Sequence, residues 1–298
     1  MNATPGIEEF PDWVPPVLVR DARRRFRAGG FVGLYVAVHL FCFLALAGEL
    51  GILALLDQGP VHSGVFLDVV FFFTFVLILP LREWNALQPE CGVRGNSSLL
   101  VLATLGRWNV VLAKWSLAAG LSLVLVVSVI PYLILLALTG SGQPGEHLLR
   151  LLTFVATHGL LSAFVIAASG YSSYLVRFAI IVAFFVGFAL TAGTLSEAGS
   201  GDYLAEAGAV SAGILYTLLA LQLARSRLDT RERTVSPLPA LVFLTGGGAP
   251  ISIAVTFSVS GSFGSWLSWI ALALLILLTL AFDRESSPAR KTFPARTT

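Results

Sequence analysis

Residues 31–56, FVGLYVAVHLFCFLALAGELGILALL, carry one charge, Glu49, in 26 positions. About 20 consecutive apolar residues wound as a helix span a hydrocarbon core about 30 Å thick. The run shows no apolar/polar alternation, so it reads as a transmembrane helix rather than a barrel strand. Working outward, the same signal returns at Val65–Leu81, Leu117–Leu138, Leu149–Tyr171, Leu175–Thr191, Gly208–Leu223, Ala240–Val259 and Trp266–Phe282. The chain of 298 residues is 56% hydrophobic and 12% charged, with mean hydropathy +0.84. A soluble fold could not bury that much apolar surface. The expected fold class is therefore all-α: a polytopic integral membrane protein with a six-span core (31–223) and a C-terminal transmembrane hairpin (240–282).

Basic residues give the orientation. Of the 19 lysines and arginines, all but Arg150 fall in 1–30, in 82–115, at Arg177, in 224–239 or in the tail 283–298. The intervening loops 57–64, 139–147, 192–207 and 260–265 hold no Lys or Arg, and several carry acids, such as Asp57, Glu146, Glu197, Asp202 and Glu206. Positive charge stays on the cytoplasmic side, so both termini are expected there. A bacterial plasma (inner) membrane is the expected location. The acidic, polar N-terminus lacks the cleavage pattern of a signal peptide. The basic patches flank spans, which suits anionic headgroups rather than nucleic acid. Cys42 lies inside the first span and Cys91 in a cytoplasmic loop, so no disulfide framework is implied.

Two stretches outside the spans look structured. Pro15–Gly30, PPVLVRDARRRFRAGG, begins with a proline suited to a first helical turn and ends with glycines suited to a stop. It reads as an amphipathic interfacial helix or as a plain juxtamembrane basic anchor. Arg82–Trp115 is long for a loop between spans, and such loops are commonly functional. Within it Asn96 or Ser97 can cap a short apolar helix, Ser98–Leu105, which Gly106 can stop. Leu99, Leu100 and Leu102 are too few to cross a bilayer, so this helix needs lipid or a protein groove.

These elements resemble the type-2 ATP-binding-cassette exporter permeases. That family carries an acidic residue soon after the second span, then Gly and a short Leu-rich helix. An Arg and a Lys-aromatic pair lead into the third span. The matching residues are Glu83, Gly95, SSLLVLATLGRW (Ser97–Trp108) and Ala113-Lys114-Trp115. The segment VPPVLVRDARRRFR resembles the family's first interfacial helix. The likeness covers about the first 140 residues. It departs at Asn96-Ser97-Ser98, where Gly-Thr is usual, and in the added C-terminal helix pair. The resemblance implies a coupling helix that docks into a separate ATPase subunit, with a second permease subunit completing a homo- or heterodimer. Glu83, Ser98, Leu99, Leu100, Leu102, Leu105, Arg107 and Lys114 would carry ATPase coupling. No GxxxxGK[ST] stretch occurs. The chain itself thus carries no expected cofactor or catalytic residue, and ATP and Mg would be bound by the partner ATPase.

Charges inside spans are costly and are functional hypotheses by default. Glu49, Asp68 and Arg150 share a similar outer depth and would form either an ion-pair lock or an outer gate. His39 and His158 lie closer to the midplane. Each either makes one interhelical hydrogen bond or lines a translocation path. Pro131 would kink the third span, and Gly246-Gly247-Gly248-x-Pro250 would break the seventh. An intramembrane enzyme acting on lipid or peptide would have only His39, His158, Glu49 and Asp68 to work with. A non-transporting scaffold would use the basic termini to recruit partners.

Overall fold

A computed structural model describes residues 16–27, 29–56, 64–91, 106–138, 144–198 and 202–228. The expected short helix Ser98–Leu105, spans seven and eight and the C-terminal tail lie outside the described residues. So does the N-terminal segment before residue 16. Among the described residues every regular element is a helix and no strand occurs. The helices are α1 (Pro16–Arg27), α2 (Gly29–Leu56), α3 (Val65–Leu81), the short α4 (Gln88–Cys91), α5 (Arg107–Leu138), α6 (Pro144–Ser169), α7 (Tyr174–Ala198) and α8 (Asp202–Arg227).

Among the described residues, four segments are long and apolar enough to cross a membrane: Gly29–Gly51, Arg107–Leu138, Gly145–Ser169 and Ala209–Arg227. Val65–Leu81 and Tyr174–Ala189 are shorter apolar helices. Several boundaries differ from the sequence reading. Gly29 does not stop α1; it begins α2, and α1 ends at Arg27. The third span starts ten residues earlier than expected, at Arg107 rather than Leu117. Val110, Val111, Lys114, Leu117, Ala118 and Leu121 recur at helical spacing and are all buried, so one packed face extends the helix below the apolar run. Likewise Glu197, Asp202 and Glu206, expected in a solvated loop over 192–207, belong to the extended ends of α7 and α8. α5 runs as one helix through Pro131.

α3 changes winding partway. Phe72–Ile78 forms a π-helical stretch, closed where Leu79 donates to the Thr74 carbonyl five residues back. Pro80 follows at once. Proline has no N–H to give, and its ring crowds the carbonyl four residues earlier. A widened turn just before it relieves that crowding.

The chain divides into two compact units. The first takes residues 1–182 and 220–236; the second takes 183–219 and 237–298. In the first, α2, α3, α5 and α6 share a core. α2 contributes Val38, Cys42, Ala45 and Leu46, and α3 contributes Leu67, Phe71, Phe75 and Leu79, one residue per turn. α5 adds Leu125, Val126, Val129, Leu133 and Leu136, and α6 adds Leu151. The Trp115 indole donates to the Gly159 carbonyl at 2.9 Å, pinning α5 to α6. α1 does not stand apart: Leu18 and Ala22 pack on Phe31, Leu117 and Leu121. Residues 160–170 of α6 and the turn after it are buried on every side. In the second unit, Tyr216 is enclosed by Phe184 and Phe188, and its hydroxyl lies 3.1 Å from Thr191 Oγ1.

Candidate functional site

At the basic end of the first unit, α1, the turn after α3 and α5 are joined by charge. The backbone after α3 stays compact through successive turns. Glu83 N donates to Pro80 O, Trp84 N to Leu81 O and Ala86 N to Glu83 O, and residues 88–91 close as α4. This holds Glu83 and Glu90 toward α1 and α5, and both are buried. Arg25 grips Glu83 with both guanidinium nitrogens, the Nη2–Oε2 bond being 2.6 Å. A planar fork on a carboxylate is the strongest side-chain pairing available. Lys114 Nζ lies between two acids, 3.2 Å from Asp21 Oδ2 and 3.0 Å from Glu90 Oε1. Arg20 reaches the same two carboxylates at 3.0 and 3.6 Å.

Burial alone would raise the Asp21 carboxyl. The charges of Lys114 and Arg20, with their hydrogen bonds, outweigh it and hold the group below its ordinary 3.8. Arg25 shows the same contest: burial pulls it down, but the Glu83 carboxylate leaves it raised. Arg82 is different. Burial and the neighbouring Arg25 charge lower it, and its Nη1 has no hydrogen-bond partner among the described residues. Its guanidinium rests 5.8 Å from the Phe31 ring centroid. A cavity with room for about one water separates Arg25, Arg82 and Glu83 from His158, walled by Leu79, Ala118 and Leu121.

A second set of contacts holds the same turn from the other side. Leu87 N donates to Ser169 Oγ at 3.0 Å, and the Gln88 amide donates to the carbonyls of Ser169 and Tyr171. Arg177, at the start of α7, is 3% exposed. Its Nε donates to Tyr171 O at 2.6 Å and its Nη1 to Trp84 O and Asn85 Oδ1. Trp84 and Tyr174 lie stacked against it. The turn has carbonyls to offer, and a guanidinium gains more from them than from the membrane edge.

Glu83 and Lys114 thus sit within about one side-chain length of the N-terminal helix. Arg107 lies half-buried in the first turn of α5. Ser98, Leu99, Leu100, Leu102 and Leu105 lie outside the described residues. Sequence reasoning missed Asp21, Arg25, Glu90 and the role of Arg177. One signal was present: Asp21 is the only acid in a helix that otherwise carries Arg20, Arg23, Arg24, Arg25 and Arg27.

The intramembrane candidates separate. Asp68 and Arg150 meet at 2.9 Å. Glu49 caps the start of α3 instead, accepting from Phe66 N at 2.9 Å, where the helix dipole favours an anion. Its other carboxylate oxygen has no hydrogen-bond partner among the described residues. His39 and His158 stand in different surroundings. His39 Nδ1 is 3.2 Å from the Tyr132 hydroxyl, beside Tyr35. His158 lies 3.3 Å from Ala118 O and within reach of Ser162 Oγ. Among the described residues no group of three His, Cys, Asp or Glu is arranged to hold a metal ion. No family model, curated protein or solved structure matches the chain.

Proposed function

We propose that the chain is the membrane subunit of an ATP-driven exporter of the type-2 kind, coupled to a separate ATPase. The observation that carries this reading is the ionic network at the basic end. Glu83 and Lys114, the residues expected to serve coupling, are the ones through which the N-terminal helix, the turn after α3 and α5 are held together. A push on the elbow between α3 and α5 would be transmitted through Glu83 and Lys114 to α1, α3 and α5 together, as rigid-body switching requires. In this reading eight spans place both termini in the cytoplasm of a bacterial plasma membrane. Two permease subunits pair across a translocation path, and partner ATPases bind ATP and Mg. Their closure biases a two-state equilibrium of the spans.

The test is mild-detergent purification of the full chain from its native membrane, with identification of what co-purifies. A stoichiometric ATPase with a Walker motif, lost when Leu100 and Leu102 become Asp, is the expected result. A preparation that carries no ATPase even after crosslinking would remove the reading.

A further inference from the structure

Two arginines around the α6–α7 turn have no counter-charge among the described residues. Arg177 is 3% exposed. Its Nε and Nη1 are taken by three neutral oxygens, and its Nη2 hydrogens take no protein acceptor. Arg227, at the end of α8, lies with its guanidinium 4.1 Å from the Tyr171 ring centroid. No carboxylate lies within ion-pair distance of either arginine among the described residues. Tyr171 is common to both: its carbonyl accepts from Arg177 and its ring faces Arg227. The fold presses the two sides together here, since a Cβ on Gly170 would come within 3.0 Å of the Arg227 Cβ.

Buried charges are ordinarily paired, because an unpaired ion in low dielectric is expensive. Arg177 is such a buried charge and has no anion among the described residues, and Arg227, exposed at the end of α8, brings a second positive charge against the same turn. The surroundings say what the missing anion is attached to. Ser172 and Ser173 are exposed in the same turn, and offer hydroxyl donors. Immediately beyond them Tyr174, Leu175 and Phe178 are 72%, 79% and 62% exposed. A polar, cationic turn next to an exposed apolar face is the profile of a headgroup seat with acyl chains alongside.

We infer that the α6–α7 turn binds the phosphate of an anionic phospholipid through Arg227 and Arg177, with its acyl chains along Leu175 and Phe178. Bound there, the lipid neutralises the charge that holds Trp84, Asn85 and Tyr171 together. It therefore stabilises the turn that presents Glu83. The inference needs only that these helices sit in a bilayer, and the presence or absence of an ATPase leaves its outcome unchanged.

The experiment titrates detergent-purified full-length protein with dioleoyl-phosphatidylglycerol and follows the thermal unfolding midpoint. Dioleoyl-phosphatidylcholine and inorganic phosphate serve as parallel arms. Saturable stabilisation by phosphatidylglycerol alone is expected. R227Q should raise the half-saturating lipid concentration about tenfold, the loss of one charge-assisted contact, while R24Q on the exposed face of α1 stays within about twofold of wild type. Equal effects of phosphatidylcholine would overturn the anionic assignment, and equal effects of inorganic phosphate would overturn the lipid one. A loss in R24Q matching that in R227Q would reduce the site to general surface charge. Should R227Q unfold before lipid is added, S173E decides: it places a like charge in the exposed turn and must weaken phosphatidylglycerol binding, or the site is elsewhere.

Discussion

Glu83 and Arg25 show what a single residue can decide. Their pair is largely withdrawn from water, with side chains 3% and 21% exposed. Removing one member of such a pair strands the other. Glu83→Gln is expected to cost about 3 kcal/mol in chemical unfolding of the detergent-solubilised protein. The double substitution of Glu83→Leu with Arg25→Met should recover most of it, since apolar replacement leaves nothing stranded. A single variant as stable as wild type would show that the pair contributes nothing. Cys91 makes a second case. Burial, then the Glu90 charge, pushes its thiol from 9.0 up to about 11, and the thiol donates to the Arg227 carbonyl at 3.6 Å. At neutral pH this cuts the thiolate about a hundredfold. Greater nucleophilicity of the higher-pKa thiolate recovers part of that. Iodoacetamide should therefore react with Cys91 about tenfold more slowly than with an exposed engineered cysteine, its rate climbing until about pH 11. Rapid alkylation at pH 7 would contradict the packing of this turn.

Among the elements, α3 depends most on its ends. It begins at Gly64, whose φ of 118° is left-handed and whose Cβ position lies 2.7 Å from His147 Cε1. It is capped from outside by Glu49 and widens into a π stretch before Pro80. Gly64→Ala meets both backbone strain and a collision, and is expected to destabilise by about 2 kcal/mol. Gly33→Ala, where a Cβ meets nothing within 4 Å, should be neutral or mildly stabilising through helix propensity. Parallel thermal melts of the two variants check this, and equal midpoints would refute it. The Asp68–Arg150 pair at the same end is half open to its surroundings, at 26% and 50%. Glu49 accepts from the first turn of α3, and the ion pair ties that same turn to α6.

For the whole molecule, the segregation of basic residues makes a prediction that no single helix can. In the proposed topology, with both termini cytoplasmic, a cysteine placed at Ser141 should react with a membrane-impermeant maleimide in intact cells. One at Ser236 should react only after permeabilisation. Cys42, inside a span, and Cys91, shielded as above, give little background. The reverse pattern would invert the orientation, and labelling of both in intact cells would break the even span count.

Among the described residues the sequence by itself determined the helical class and the rough placement of the apolar helices, because a bilayer tolerates only backbone that satisfies itself and apolarity over 20 residues is a local property. It also singled out Glu83 and Lys114, through a short motif read within one segment. Tertiary structure alone decided their partners. Arg25 and Glu83 are 58 residues apart, Asp21 and Lys114 are 93 apart, and Arg177 reaches Trp84 across 93. Nothing local distinguishes Arg25 from Arg24 or Arg23. The difference arises when Leu18 and Ala22 dock on α5 and that face of α1 turns inward. Helix ends were equally illegible: α5 begins at Arg107 because its lower turns find a packed face, and charge in those turns is neutralised by residues far away in the chain. A charge's cost depends on what folding brings beside it, and that is a property of the fold rather than of the segment.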